Sequence, residues 1–134
     1  MIGGGHIGCE TALYLVQQGK KLTIVEILDN LALDMFTANR MHLLKLLADA
    51  GVEILTDTKV LKITDGVVLI SDKHDKKRRL ATDSVVVAVG LEPQTEFWEA
   101  LRDNVADLYA IGDCVEPRKV IDAIWEGFRI ARLI

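Results

Sequence analysis

"MIGGGHIGCETALYL", residues 1–15, sets three glycines in a row ahead of a segment with helical periodicity. Gly3, Gly5 and Gly8 stand there in G-x-G-x-x-G spacing. Each glycine has a separate task in a loop that leads into a helix. Gly3 permits a tight turn, Gly5 has no Cβ to hold a pyrophosphate off the backbone, and Gly8 lets the helix approach a sheet closely. The N–H groups of the helix start then face the phosphates, those of Gly4, His6 and Ile7 among them. The spacing alone is balanced evenly between a structural loop and a phosphate site, so the context decides.

Working outward, residues 7–18 read as a helix with Gly8, Cys9, Ala12, Leu13, Leu15 and Val16 on one arc, ended by Gly19. "KLTIVEI" (21–27) is β-branched and apolar, as a buried parallel strand is. Asp34 is placed to cap a second helix running to Ala50, with Gly51 after it, and "VEIL" (52–55) is a further strand. "KVLKI" (59–63) and "VVLI" (67–70) around Asp65-Gly66 predict a hairpin, with 71–79 as a polar turn. "SVVVAVG" (84–90) reads as a buried strand, and so does "DLYAIGD" (107–113). Residues 120–134 form an amphipathic helix with Val120, Ile121, Ile124, Phe128 and Ala131 on one face, and with its arginines late, as the helix dipole favours. The alternation predicts an α/β fold: a Rossmann-like parallel sheet with flanking helices and a small antiparallel meander.

Composition fits that class. The chain has 134 residues, half of them hydrophobic, which is one domain's worth with enough apolar material for a core. A net charge of -4 argues against nucleic-acid binding, and the basic run "KHDKKRR" (73–79) reads as a solvated turn. No apolar run nears the ~20 residues of a membrane span, and no signal peptide is evident. Cys9 and Cys114 are isolated and read as reduced thiols of a cytoplasmic protein, with no redox pair.

Glu26 closes the second strand, 18 positions after Gly8. A carboxylate there accepts from both adenosine ribose hydroxyls and repels a 2′-phosphate. No Arg or Lys lies between 27 and 39, so NAD is favoured over NADP. Gly90 ends an apolar strand, which taken alone reads as an ordinary strand-to-turn glycine. Asp113 follows Gly112 at a strand end, where a doubly wound sheet places ligands, although a turn aspartate explains it equally well. No residue stands out as a general acid, nucleophile or metal ligand, and the His6 ring reads as idle.

"GGGHIGCETA", a strand closing on Glu26, "SVVVAVGLEP" (84–93) and "LYAIGDCVEPR" (108–118), in that order, resemble the two-dinucleotide-binding-domain flavoproteins of pyridine nucleotide-disulfide oxidoreductase-like fold. The likeness is to the C-terminal region of 2-enoate reductases and 2,4-dienoyl-CoA reductases, NADH:flavin oxidoreductases related to trimethylamine dehydrogenase. It covers nearly the whole chain. It implies that residues 1–93 are an inserted NAD-binding domain, with Gly90 near the nicotinamide, and that 94–134 are the returning end of an FAD-binding domain, packed on the first part. In that segment Gly112 and Asp113 would contact the flavin nucleotide. It also implies a parent enzyme in which NADH reduces FAD and an activated C=C bond is reduced onward. The fragment itself is then a dinucleotide-binding piece with no catalysis of its own, and FAD binding by it is doubtful. The alternative is an isolated NAD- or ADP-binding module.

The resemblance further implies that most of the first strand is missing, along with flavin-binding and barrel domains upstream. The barrel's iron–sulfur cluster needs more cysteines than this chain has. Two consequences are expected. Either residues 108–111 fill the vacant central slot of the sheet, or chains pair across it as an oligomer.

Overall fold

The computed structural model describes all 134 residues and divides into two compact units, Met1–Val89 and Gly90–Ile134. In the first unit α1 (His6–Gln17) follows the glycine loop. It ends as the sequence predicts. Gly19 (φ +78) donates to the Val16 carbonyl and Lys20 donates to Leu15, the paired bonds of a Schellman motif. Next come β1 (Thr23–Val25), α2 (Thr37–Asp49) and β2 (Glu53–Leu55), with β1 and β2 parallel. This βαβ alternation is the α/β class expected.

The slot beside β1 is taken by the chain's own start. Ile2 bridges Val25 on one side and Val87 on the other, both in parallel. Gly3 donates to Val25 O at 2.9 Å, Ile2 to Val86 O at 2.8 Å, and Ala88 to Ile2 O at 2.7 Å. Residues 108–111 therefore do not fill that place, and they belong to no strand. Ile111 is extended, but Gly112 (φ +71) turns the chain at once into a 3₁₀ turn, Gly112–Cys114. The strand expected over 107–113 is thus absent.

The meander is β3 (Thr58–Thr64), β4 (Val67–Asp72) and β5 (Lys77–Ala81), antiparallel with β4 central. The predicted turn over 71–79 is shorter than expected, because Lys77, Arg78 and Arg79 lie in β5. Arg78 reaches Glu53 on β2 at 2.9 Å, and Lys73 pairs with Asp57 at 3.3 Å, so acids of the fold engage much of the basic run. The segment 84–90 also departs from expectation. Its only strand pairing is the bridge to Ile2, and Val86, Val87 and Val89 are exposed. An apolar run reads as buried, yet this one pairs along a single edge.

Two apolar clusters fill the first unit. Cys9 and Ala12 of α1 meet Ile24, Leu31, Ala32, Leu43, Leu47 and Val52. Val25, Val68 and Ile70 form the other, backed by Leu55, Val60, Leu80 and Val85. Fully burying a side chain such as Leu47 contributes about 1.5–3 kcal/mol. The second unit holds α3 (Glu96–Leu101), the 3₁₀ turn and α4 (Val120–Ala131), and none of these elements has a buried residue. The apolar stripe of α4 is present as read, with Asp122 in the first turn and Arg129 in the last, but Ile121, Ile124 and Phe128 are all exposed.

Candidate functional site: the glycine loop and its carboxylates

The loop between Ile2 and α1 is shaped by close approaches that only glycine permits. Gly3 sits at φ +95, and a Cβ there would overlap the Ala88 carbonyl. A Cβ on Gly8 would overlap the carbonyl oxygen of Gly3, which is how the helix comes to lie against the strand end. Gly5 is different. It is the N-cap of α1, its φ is an ordinary -67, and a Cβ would meet nothing within 4 Å. It faces open space in front of the helix. The turn at Gly3 and the close helix approach at Gly8 are visible in these contacts, while Gly5 shows only open space.

Gly4 carries a task that spacing alone did not reveal. A Cβ there would overlap Leu31 and crowd Glu26. The Gly4 N–H donates to Glu26 Oε2 at 2.6 Å, and Leu28 N–H donates to Oε1 at 2.9 Å. Glu26 is buried, with 8% of its surface exposed. It is therefore no solvated strand-end acid. It ties the loop to the end of β1.

Asp34 is the second correction. It does not cap α2, whose N-cap is Phe36 with no side-chain cap bond. Its Oδ1 instead accepts from the His6 N–H at 3.0 Å, so it serves the first turn of α1. The loop carbonyls are held as well: Ala32 N–H donates to Gly4 O at 2.7 Å, and the Cys9 thiol donates to the same oxygen at 3.2 Å. The His6 ring turns away to pair with Glu10 at 3.0 Å.

The remaining N–H groups of Gly5, Ile7 and Gly8 lie ahead of the first intrahelical bond, Cys9 N–H to Gly5 O at 2.9 Å. They lie at the positive end of a twelve-residue helix, beside the one glycine of this loop that faces open space. That donor set, with a cradle a side chain at position 5 would intrude on, fits a diphosphate. Gly3, Gly4, Gly5, His6, Ile7, Gly8 and Glu26 are thus brought together in one unit.

The other candidates lie in the second unit. Gly90 adopts φ +101 with open space around its Cα, so its backbone conformation is what requires glycine. Gly112 N–H donates to Glu126 Oε2 at 2.6 Å, Glu126 also engages Arg118, and Asp113 is exposed in the 3₁₀ turn. The Glu126 carboxyl is held below its usual range, first by the Gly112 N–H and then by Arg118. The sequence signal for Glu126 was only its place on the polar face of α4.

Known proteins resemble this chain in sequence and in fold. The family described as pyridine nucleotide-disulphide oxidoreductase matches residues 1–127. An NADH oxidase of Thermoanaerobacter brockii is 36% identical over 132 residues, which is 98% of this chain and 20% of that protein. A cinnamate reductase of Clostridium sporogenes is 32% identical over 138 residues, covering 100% of this chain and 20% of that protein. The solved complex of a 2-naphthoyl-CoA reductase superposes with a TM-score of 0.86 at 30% identity, over 99% of this chain and 20% of that one. The chain therefore spans about a fifth of the length of these relatives.

Proposed function

The chain belongs to the pyridine nucleotide-disulphide oxidoreductase family, and from that premise we propose that its glycine loop binds the ADP part of NADH within a flavin-dependent oxidoreductase. The observation that carries this is the division of labour among the loop N–H groups. Two are held by Glu26 and Asp34, and those of Gly5, Ile7 and Gly8 are left to a diphosphate. Glu26, at the strand end, is the ribose-facing acid and favours NADH over NADPH. The Gly112–Asp113 turn is, in this reading, part of an FAD-binding portion that other segments of a longer protein complete, and Gly90 lies on the nicotinamide side. When bound, NADH and FAD supply the hydride chemistry, which ends in reduction of an activated C=C bond. The chain's own residues bind and orient. They carry no proton-transfer step.

The enoate-reductase type of parent, with upstream flavin-binding and barrel domains and a cytoplasmic setting, belongs to the same proposal. The names of the cinnamate reductase and 2-naphthoyl-CoA reductase relatives support the reductase part of that proposal. No helix is long and apolar enough to cross a membrane.

Calorimetric titration with NADH, NADPH and FAD tests the reading. NADH is expected to bind more tightly than NADPH. Gly5→Ala is expected to abolish binding while leaving the melting curve in place, because its Cβ meets no protein atom. Equal binding by Gly5→Ala, or no binding of NADH by the wild type, overturns the site.

A further inference from the structure

The loop is bounded by two carboxylates from outside it, and they differ in what they can do. Glu26 is buried, and both its oxygens hold backbone N–H groups. Asp34 is exposed and sits on the His6 N–H at 3.0 Å, next in sequence to the open Gly5 and to the free first-turn N–H of Ile7.

Its place is fixed by the segment that carries it. Ala32, at φ 50, donates to Gly4 O, and Met35 N–H returns to Ala32 O at 3.1 Å. Arg40 braces the same segment, with Nε donating to Leu31 O at 2.7 Å and Nη2 to Asn30 Oδ1 at 2.9 Å. This nearby cation is therefore engaged with a carbonyl and an amide. No Lys, Arg or His side chain forms an ion pair with Asp34, and the His6 ring is with Glu10. The field of the pair is felt inside the loop. The Cys9 thiol is pushed up to about 11, by burial first, then by Asp34 and Glu26, with Arg40 opposing.

We propose that Asp34 is a specificity-determining residue, a charge filter that sets a standing negative charge beside the phosphate-facing N–H groups and disfavours ligands more anionic than a dinucleotide diphosphate. The inference rests on the reading of this loop as an NADH site and deepens it. Repulsion from one fixed carboxylate grows with the charge of the ligand and falls as salt screens it. NADPH carries a further phosphate of about -1.5 to -2 charge, so it meets more of this repulsion than NADH does. Capping alone would not need a charge, because a neutral Asn or Ser accepts the same hydrogen bond.

The test is titration of wild type, Asp34→Asn and Asp34→Ser with NADH and with NADPH, at ionic strengths of about 0.01 M and 1 M, where the screening length falls from about 30 Å to 3 Å. Asn keeps an acceptor at the same reach for the His6 N–H and Ser carries a shorter one, so the two variants separate loss of charge from loss of the hydrogen bond. At low salt each is expected to tighten NADH about threefold and NADPH about tenfold, on the order of the Coulomb energy between unit charges several ångströms apart in water. The preference for NADH then drops about threefold relative to wild type, and the gain vanishes at high salt. A wild-type site that binds NADH with its preference unchanged in both variants overturns the filter alone. A wild type that binds neither dinucleotide overturns the site and the filter together.

Discussion

Two glutamates in this chain do the same thing at the same distance. Glu26 accepts the Gly4 N–H at 2.6 Å, and Glu126 accepts the Gly112 N–H at 2.6 Å. Each glycine N–H lies in a turn that leads into helical structure. The surroundings differ. Glu26 is buried, its second oxygen holds Leu28 N–H, and the Leu31 side chain covers Gly4. Glu126 is 24% exposed at its side chain, its second oxygen faces Arg118, and its helix buries no residue. A carboxylate removed from water cannot exchange its partners for solvent, whereas an exposed one can. The bond length is the same, but only the first bond is part of a core.

The sharpest way to break that comparison is Glu26→Gln. A glutamine offers one acceptor oxygen and one NH₂, while Gly4 and Leu28 both present donors, so one N–H, buried at Gly4 or partly buried at Leu28, is left facing another donor. The expected loss is about 2–3 kcal/mol, or a fall of roughly 10 °C or more in the melting midpoint for a unit of this size. Thermal or denaturant melts measure it directly. A midpoint within a degree or two of wild type would place Glu26 with Glu126 and dissolve the distinction.

The cysteines extend the contrast, one to each unit. Cys9 has no exposed surface, and burial pushes its thiol from 9.0 up to about 11; Cys114 is partly exposed. A thiol reagent is expected to modify Cys114 in the native protein and to reach Cys9 only as the first unit unfolds. The raised value also fixes a sign. Below pH 9.0 the folded and unfolded states hold the Cys9 proton equally, and from there to about 11 only the folded state keeps it. Stability therefore falls across that window, and the fall is expected to be absent in Cys9→Ala. Equal labelling of both thiols in the native state would mean that the first unit's core opens as freely as the second unit's surface.

What the sequence made legible follows the range of the forces involved. The end of α1 at Gly19 and the turn at Asp65-Gly66 are set by residues a few positions apart, and both are where the pattern puts them. The tight turn at Gly3 and the close approach at Gly8 are legible because one loop's geometry imposes them. The pattern sets the Gly4 N–H toward a phosphate, whereas it is held by Glu26. Its close approach involves Glu26 and Leu31, more than twenty positions away. Asp34 departs from its expected place for a similar reason: a cap residue serves whichever helix start is near, and here that is α1 across the fold. Lys77, Arg78 and Arg79 hid β5, since a strand beside β4 can carry charged side chains outward while its backbone still pairs. The valines at 85–87 misled in the opposite sense, because apolar character reports a preference for burial, and here only one edge is engaged.

The smallest effect belongs to Glu126, and it tests the other half of the comparison. Its carboxyl lies below the ordinary 4.5 because the Gly112 N–H and then Arg118 favour the charged form. Its contribution is therefore present above pH 4.5 and lost as pH falls through the lower folded value. Because the group is partly open to solvent, salt and water screen much of it. Glu126→Gln is expected to leave the melt of the first unit unchanged, since no buried residue depends on α4 within its own unit. The change is local: the Gly112 amide resonance, which moves in wild type as pH is lowered below 4.5, stays flat in the variant. Such a result would locate the second turn's order in a charge pair at the surface. If Glu126→Gln instead lowered the global midpoint as far as Glu26→Gln, exposure would have failed as a guide, and both glycine turns would have to draw on one cooperative structure.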